Sequence, residues 1–216
     1  MADTHRHFVP AAGSDWLLPF YDPFTRLLGT ESFLRRLVEQ ARLAPGQRVL
    51  DLGCGTGALT LVAKRSQPGI AIAALDPDVK ALARARHKAE RGGLAIDFQQ
   101  GFGDSLPFAD ASFDRVLSSF MFHHLEAAQK PAVLREVRRV LRPGGELHLV
   151  DFGGAGHGIG AFLARLVHRE ESLRANTEDA LTTLMREAGF AEAAETEQRN
   201  SLVGALIYYR ATRSGA

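Results

Sequence analysis

The sequence predicts a single α/β domain on a doubly wound, mostly parallel seven-stranded sheet, and two observations predict it. Apolar runs of strand length alternate five times with stretches of helix length, and the alternation closes on two consecutive strand-like runs. The first strand ends in a glycine-dense turn that opens directly into a helix, which is where sheets of this kind take their ligands. Five parallel strands followed by an antiparallel C-terminal hairpin make a Rossmann-like architecture.

The elements follow from Gly and Pro punctuation, there being no internal repeat. Between Asp15 and Arg42, Phe33, Leu34, Leu37, Val38 and Ala41 recur at helical spacing, and Pro19 and Pro23 divide the segment into two or three short helices. Residues 1–44 are therefore expected to form an N-terminal helical cap, and 45–216 the ligand-binding core. Arg48 to Leu52 is a β-rich run ending in glycines, Ala58 to Ser66 a helix, Ile70 to Leu75 a second strand and Asp78 to Arg91 a second helix, completing a βαβ unit. Ala95 to Gln99 and Asp114 to Ser118 read as further strands. Ala127 to Leu141 is amphipathic, and Arg142-Pro143-Gly144-Gly145 is expected to stop it before the strand Glu146 to Phe152. Two helices, about Ile159 to His168 and Thr177 to Ala188, precede the hairpin runs Ala191 to Arg199 and Leu202 to Arg210.

Composition narrows the function classes. A chain of 216 residues fits one core. With 24% charged residues and a net charge of +1, no electrostatic excess calls for nucleic acid or an anionic membrane. Cys54 is the only cysteine, which excludes an internal disulfide framework and sites built from several thiolates, so no metal is expected and a reducing, cytoplasmic home is. No run of about eighteen apolar residues exists, and Met1 to Ala12 is polar, so neither a membrane span nor a cleaved signal is expected.

Gly53, Gly55 and Gly57 sit where the first strand becomes a helix, and glycine lets backbone N–H groups approach a ligand with no Cβ in the way. Gly53-x-Gly55-x-x-Ala58 also satisfies a dinucleotide fingerprint, so the turn alone leaves a nicotinamide cofactor open. Asp51 at its mouth repels a pyrophosphate and favours S-adenosylmethionine, which carries an ammonium and a sulfonium and no phosphate. The helix start after Gly57 then offers N–H donors to the methionyl carboxylate. Asp76, about twenty positions on, is placed to accept from both ribose hydroxyls, with a helix-capping role for Asp76-Pro77 as the alternative.

The stretches Val49-Leu-Asp-Leu-Gly-Cys-Gly-Thr-Gly57, Leu75-Asp-Pro77, Leu106-Pro-Phe108, Ser112-Phe-Asp-Arg-Val116 and Leu141-Arg-Pro-Gly-Gly145 together resemble the class I S-adenosylmethionine-dependent methyltransferases of the ubiquinone/menaquinone-biosynthesis type, sometimes called type 11. The likeness covers roughly Pro45 to Asp151. It implies that Asp51, Gly53 and Gly55 line the methionyl end, Asp76 the ribose, and Ser118 and Ser119 the opposite wall; Cys54, Gly57 and Pro77 are counted with these as cofactor-binding, Cys54 as a small residue filling the turn rather than a reactive thiol. One departure stands out: the family's Gly-Asp-Ala is replaced by Gly101-Phe102-Gly103-Asp104-Ser105. Phe102 then falls where the adenine-binding acid belongs, so Phe102 and Gly103 are expected against adenine, with Asp104 as a substitute acid and a core role for Phe102 as the alternative.

Methyl transfer from a sulfonium mainly requires an oriented nucleophile and exclusion of water, and a base only when the acceptor must lose a proton. His123 and His124 follow the fourth strand and are the candidates for that base or for orienting the acceptor. Trp16, Phe20 and Tyr21 belong to the cap, where packing and ligand contact are both open, and Tyr21 is the residue expected to reach the methionyl carboxylate. His5 and His7 are assigned no role. Asp151 and His157 follow or end the fifth strand and are weaker candidates facing the acceptor. The expected function is methyl transfer to a small, partly apolar acceptor through O, N, C or S. A NAD(P)-dependent oxidoreductase and a non-catalytic binding module that keeps the pocket stay open beside it. Oligomeric state is not readable from the sequence, although the closing strand offers an edge for pairing.

Overall fold

A computed structural model of the chain describes residues 30–153, 178–201 and 204–215. Seven strands form one sheet: β1 (Arg48–Leu52), β2 (Ala71–Asp76), β3 (Asp97–Gln100), β4 (Phe113–Ser119), β5 (Leu141–Phe152), β6 (Glu192–Ser201) and β7 (Gly204–Thr212). Their spatial order is β3-β2-β1-β4-β5-β7-β6, with β1 to β5 parallel and β7 antiparallel to both β5 and β6. The doubly wound, mostly parallel sheet with an antiparallel C-terminal hairpin is thus the architecture the alternation predicts.

Among the described residues five helices flank it: α1 (Thr30–Ala41), α2 (Ala58–Ser66), α3 (Val79–Arg91), α4 (Lys130–Val140) and α5 (Glu178–Glu187). One face of the sheet buries Leu34, Leu37 and Val38 of α1 with Leu59 and Ala63 of α2 against Val49, Ile72, Leu117, Val150 and Tyr208. The opposite face buries Val133, Leu134 and Val137 of α4 with Leu181 and Met185 of α5 against Leu50, Leu52, Leu75, Val116 and Leu149. Residues of either face alternate along each strand, as the period of two requires. Leu37 and Ala41 of α1 are wholly enclosed, and Gln40 reaches across to donate to the Tyr209 carbonyl at 3.0 Å. A fully buried aliphatic side chain contributes about 1.5–3 kcal/mol, against about 0.3–0.5 kcal/mol for the exposed Glu31–Arg35 pair on the same helix, so apolar packing holds α1 to the sheet.

The largest departure from expectation lies at Arg142-Pro143-Gly144-Gly145. These residues do not separate helix from strand, because α4 ends at Val140 and Leu141 is already extended and paired with Phe113. The next pair is Arg115 with Glu146, so the segment is an irregularity inside β5. Gly144, at φ +74°, donates to the Arg213 carbonyl at 3.0 Å and Arg213 donates back to Gly145 at 2.9 Å, which keeps the looped-out backbone bonded. The helix expected from Ala127 starts at Lys130, preceded by a single 3-10 turn at Phe122–His124, and Pro131 is tolerated in its first turn. β1 keeps its expected bounds, and the remaining strand ends shift by at most two residues. Of the expected N-terminal helices, Thr30–Ala41 is described; the rest of 1–29 and the helix expected at 159–168 lie outside the described residues.

Candidate functional site

The strand order reverses direction between β1 and β4: the chain builds outward from β1 to β3, then returns to the other side. The carboxyl ends of β1, β2, β4 and β5 meet there, which in an open parallel sheet leaves a crevice. The turn after β1 is held on β2, with the N–H groups of Gly53 and Cys54 both donating to the Leu75 carbonyl at 2.9 and 3.1 Å. A Cβ at Gly53, whose φ is +72°, would run into the Met121 side chain. At Gly57, φ +81°, a Cβ would lie 2.9 Å from that of Ala85 on α3. These glycines serve close approach between elements as well as to a ligand. Gly57→Ala combines left-handed strain with a helix–helix clash, about 2–4 kcal/mol together. Thermal melting is expected to fall by roughly 5–15 °C. Gly46→Ala, equally left-handed but in open space, should lose about a third as much; equal losses would remove packing from the explanation.

Asp51 points into the α2 face of the sheet and is fully buried. Its Oδ2 accepts from Thr60 Oγ1 of α2, while its Oδ1 has no hydrogen-bond partner. Burial, together with the neighbouring charge of Asp76, pushes its carboxyl up to about 7, against the opposing bond from Thr60. Asp76 Oδ2 accepts from Gly55 N–H at 2.7 Å and Oδ1 from Asp78 N–H at 2.9 Å; burial raises its pKa as well. The helix cap is a different residue: Asp78 Oδ1 accepts from the amides of Lys80 and Ala81, at 2.8 and 3.1 Å. Pro77 between them is half-buried, its carbonyl taken by Gln100. The first turn of α2 opens at Gly57 with no side-chain cap.

Cys54 packs against Ala74 and Leu82, and burial pushes its thiol up, so it serves as a small apolar filler. Gly101, Phe102, Gly103 and Asp104 form a half-buried loop beyond β3, and Gly103 lies against Val133 and Leu52, where a Cβ would meet them at 3.3–3.5 Å. Ser118 is wholly buried and donates to the Leu52 carbonyl at 2.9 Å, tying β4 to β1, whereas Ser119, one position on, is half-buried.

Beyond β4 the backbone turns sharply at Phe120, a non-glycine residue at φ +53°, which sends Met121 over Gly53 and starts the 3-10 turn. Such strain concentrates where the chain must aim side chains at a site. Phe120 packs on Phe152 from β5 at 5.2 Å between ring centroids, and His123 on His124 at 3.9 Å and on Phe152 at 5.0 Å. His123 is buried and its Nδ1 lies 2.6 Å from Asp151 Oδ1; its backbone N–H donates to Asp151 Oδ2 at 3.1 Å. His124 is half-buried. Asp151 lies at the end of β5, as expected, and is fully buried. Met121, Phe120, Thr60 and Phe152 escaped the sequence reading, because nothing in their spacing marks which way a residue in a tight turn will point. Tyr21, Trp16, Phe20, His5, His7 and His157 lie outside the described residues. Among the described residues no His, Cys, Asp and Glu group could hold a metal, and no helix is long and apolar enough to cross a membrane.

Known proteins share this arrangement. The methyltransferase-domain family matches residues 49–145. A demethylmenaquinone methyltransferase of Thermus thermophilus is 39% identical over 139 residues, covering 63% of this chain and 62% of the relative. One from Deinococcus radiodurans is 36% identical over 153 residues, covering 69% and 63%. The chain thus spans somewhat less than two thirds of the length of these relatives. A solved S-adenosylmethionine-dependent methyltransferase from Methanosarcina mazei superposes with a TM-score of 0.68 at 22% identity, over 83% of this chain and 98% of that one, which bears on the fold. With its glycine turn, paired carboxylates and sheet order, the chain is similar to the class I S-adenosylmethionine-dependent methyltransferases of the ubiquinone/menaquinone type.

Proposed function

We propose that the protein binds S-adenosylmethionine at the β1 turn and transfers its methyl group to a small, partly apolar acceptor. The observation that carries the reading is the unpartnered Oδ1 of buried Asp51, next to a second buried carboxylate. A buried carboxylate without a partner is costly, and a cationic ligand relieves that cost. The methionyl end of S-adenosylmethionine supplies such a cation. Two carboxylates at one turn repel a pyrophosphate, which disfavours NAD(P). When bound, the cofactor supplies an electrophilic methyl carbon on a positively charged sulfur.

The residues around it have separable tasks. Asp51 would hold the ammonium of the methionyl end, and the positive end of α2 suits its carboxylate. Asp76 would exchange one of its backbone donors for ribose hydroxyls. Phe102 and Gly103 would pack on adenine, and Ser119 with Met121 would close the wall toward the reacting methyl. Phe120, Phe152 and His124 offer the acceptor an apolar, partly aromatic surface. Tyr21 as a further contact to the methionyl carboxylate, and a location in the cytoplasm, belong to the same reading.

The acceptor is tested with methyl-labelled S-adenosylmethionine against phenols, hydroquinones, amines and thiols, with polyprenylated quinols and protein as the contrast. The expected outcome is label in a compact, partly apolar compound. Turnover confined to polyprenylated or protein acceptors would contradict that part of the proposal.

A further inference from the structure

His148, in the middle of β5, is wholly buried and belongs to none of the groups around the crevice. Both of its ring nitrogens have partners: Gln40 Nε2 of α1 lies 3.1 Å from Nδ1, and Glu146 Oε2 lies 3.3 Å from Nε2. The same Gln40 nitrogen donates to the Tyr209 carbonyl at 3.0 Å, and Gln40 Oε1 accepts from Thr196 Oγ1 at 2.8 Å. A carbonyl only accepts, so the Gln40 atom facing Tyr209 is the nitrogen, and its second hydrogen is the one directed at His148 Nδ1. Nδ1 therefore carries a lone pair, and the hydrogen of the neutral ring sits on Nε2, toward Glu146. One protonation state of one imidazole thus joins α1 to β5, beside the bonds that Gln40 makes to β6 and β7.

A second proton on the ring breaks this junction. With Nδ1–H formed, donor faces donor at Gln40; turning the amide over satisfies Nδ1–H but sets Oε1 against the Tyr209 carbonyl. Either way α1 loses a bond to the sheet. The charged groups around the ring are Glu146 on its own strand, Arg115 of β4 at 3.2 Å from Glu146, and Arg210 of β7 at 3.7 Å from Glu146, with Glu192 of β6 behind Arg210 at 3.6 Å. We infer that His148 and Gln40 form an acid-sensitive latch on the C-terminal end of α1, closed while His148 is neutral and opened by its protonation. Burial lowers the His148 pKa from its ordinary 6.5; Glu146 opposes that, and the two arginines add to it. The folded chain keeps the ring neutral where the unfolded chain takes a proton, so the stability it contributes is full above pH 6.5 and is lost as the pH falls through the lower folded-state value. Leu34, Leu37 and Val38 stay packed on the sheet, and Arg115 Nε donates to the Ala41 carbonyl at 3.1 Å, so an unlatched α1 opens more often rather than leaving.

Amide hydrogen exchange of the full chain tests the latch, read by mass spectrometry at pH 7.5 and pH 5 and corrected for the intrinsic rate at each. Protection of α1 peptides should fall by about tenfold or more relative to those of α3, which packs beside β2 and β3. A general loss of stability lowers both together and leaves no such difference. His148→Gln keeps an acceptor for the Gln40 N–H and has nothing to titrate, so the α1 difference should disappear. Gln40→Met keeps a side chain of similar length and removes the facing donor, which should cut the difference by about threefold or more. Nitrogen NMR of labelled histidine should place the His148 hydrogen on Nε2 in the parent at pH 7.5, a measurement that needs no variant. An Nδ1–H tautomer in the parent, α1 protection that follows α3 at both pH values, or an α1 difference that survives unchanged in His148→Gln or Gln40→Met would overturn the inference.

Discussion

Asp76→Ala should weaken S-adenosylhomocysteine binding by about 100-fold or more, measured by calorimetry at pH 7.5. Hydrogen bonds to a charged acceptor are worth about 1.5–3 kcal/mol each, and a ribose offers two; at 1.4 kcal/mol per decade, two such bonds span two to four decades. The same carboxylate also organises the turn itself, since it accepts from the amides of Gly55 and Asp78. The variant should therefore melt several degrees lower even without ligand. Asp76→Asn separates the two effects: it keeps one oxygen acceptor and loses the charge, so its melting temperature should stay closer to the parent while affinity still falls by about tenfold or more. An Asp76→Ala protein that binds S-adenosylhomocysteine as tightly as the parent would remove ribose recognition from Asp76.

Asp51 carries the second large effect, and it is a pH effect. Its carboxyl is raised from an ordinary 3.8 to about 7, chiefly by burial. The folded protein then holds a proton that the unfolded chain gives up between about pH 4 and 7. The stability this group contributes is fully present below pH 4 and is lost as the pH rises through 7. Three pH units at 1.36 kcal/mol each set its scale at about 4 kcal/mol. Other groups titrate across the same range, so the readout is a difference: the melting temperature of Asp51→Asn minus that of the parent should grow from pH 5 to pH 8. Ligand binding should run the opposite way. A cation beside Asp51 favours the ionised form, so affinity for S-adenosylhomocysteine should rise with pH, by up to tenfold per unit below 7, and level off above it. Asp51→Asn should bind weakly with no such slope. A parent whose affinity is flat from pH 5.5 to 8 would show that Asp51 faces no cation in the complex.

Both effects spring from carboxylates buried at one turn, where Asp51 Oδ1 has no hydrogen-bond partner and Asp76 is held by two backbone amides. Sites held at a cost to stability are common where binding is the task. The bonds each carboxylate does make, from Thr60 to Asp51 and from Gly55 and Asp78 to Asp76, hold the side chains ready in the crevice.

Much of this was legible in the sequence, and the reasons are local. The strands β1, β2 and β4 are apolar on both faces because helices cover both, which made their runs plain. The glycine turn was legible because left-handed backbone at Gly53, Gly55 and Gly57 leaves a mark in residue type. Asp76 and Asp78 could not be told apart by pattern, since either carboxylate can cap a helix; only the bonds to Lys80 and Ala81 assign the cap to Asp78. The run Arg142 to Gly145 carried every sign of a stop, and it misled because distant Arg213 supplies the hydrogen bonds that let the strand continue. Asp151, read at the end of the fifth strand, showed only a weak claim to face the acceptor, for a related reason. Its burial depends on His123, twenty-eight positions earlier, and on how Phe120 turns the chain after β4, neither of which any local window contains.

The most direct test of the central claim is calorimetric titration of the purified chain with S-adenosylhomocysteine and, separately, with NAD and NADP. The account predicts saturable binding of S-adenosylhomocysteine at one site and no heat from either nicotinamide. Binding of NAD or NADP in place of S-adenosylhomocysteine would contradict it, and would make His123 and His124 candidates for hydride-transfer chemistry instead.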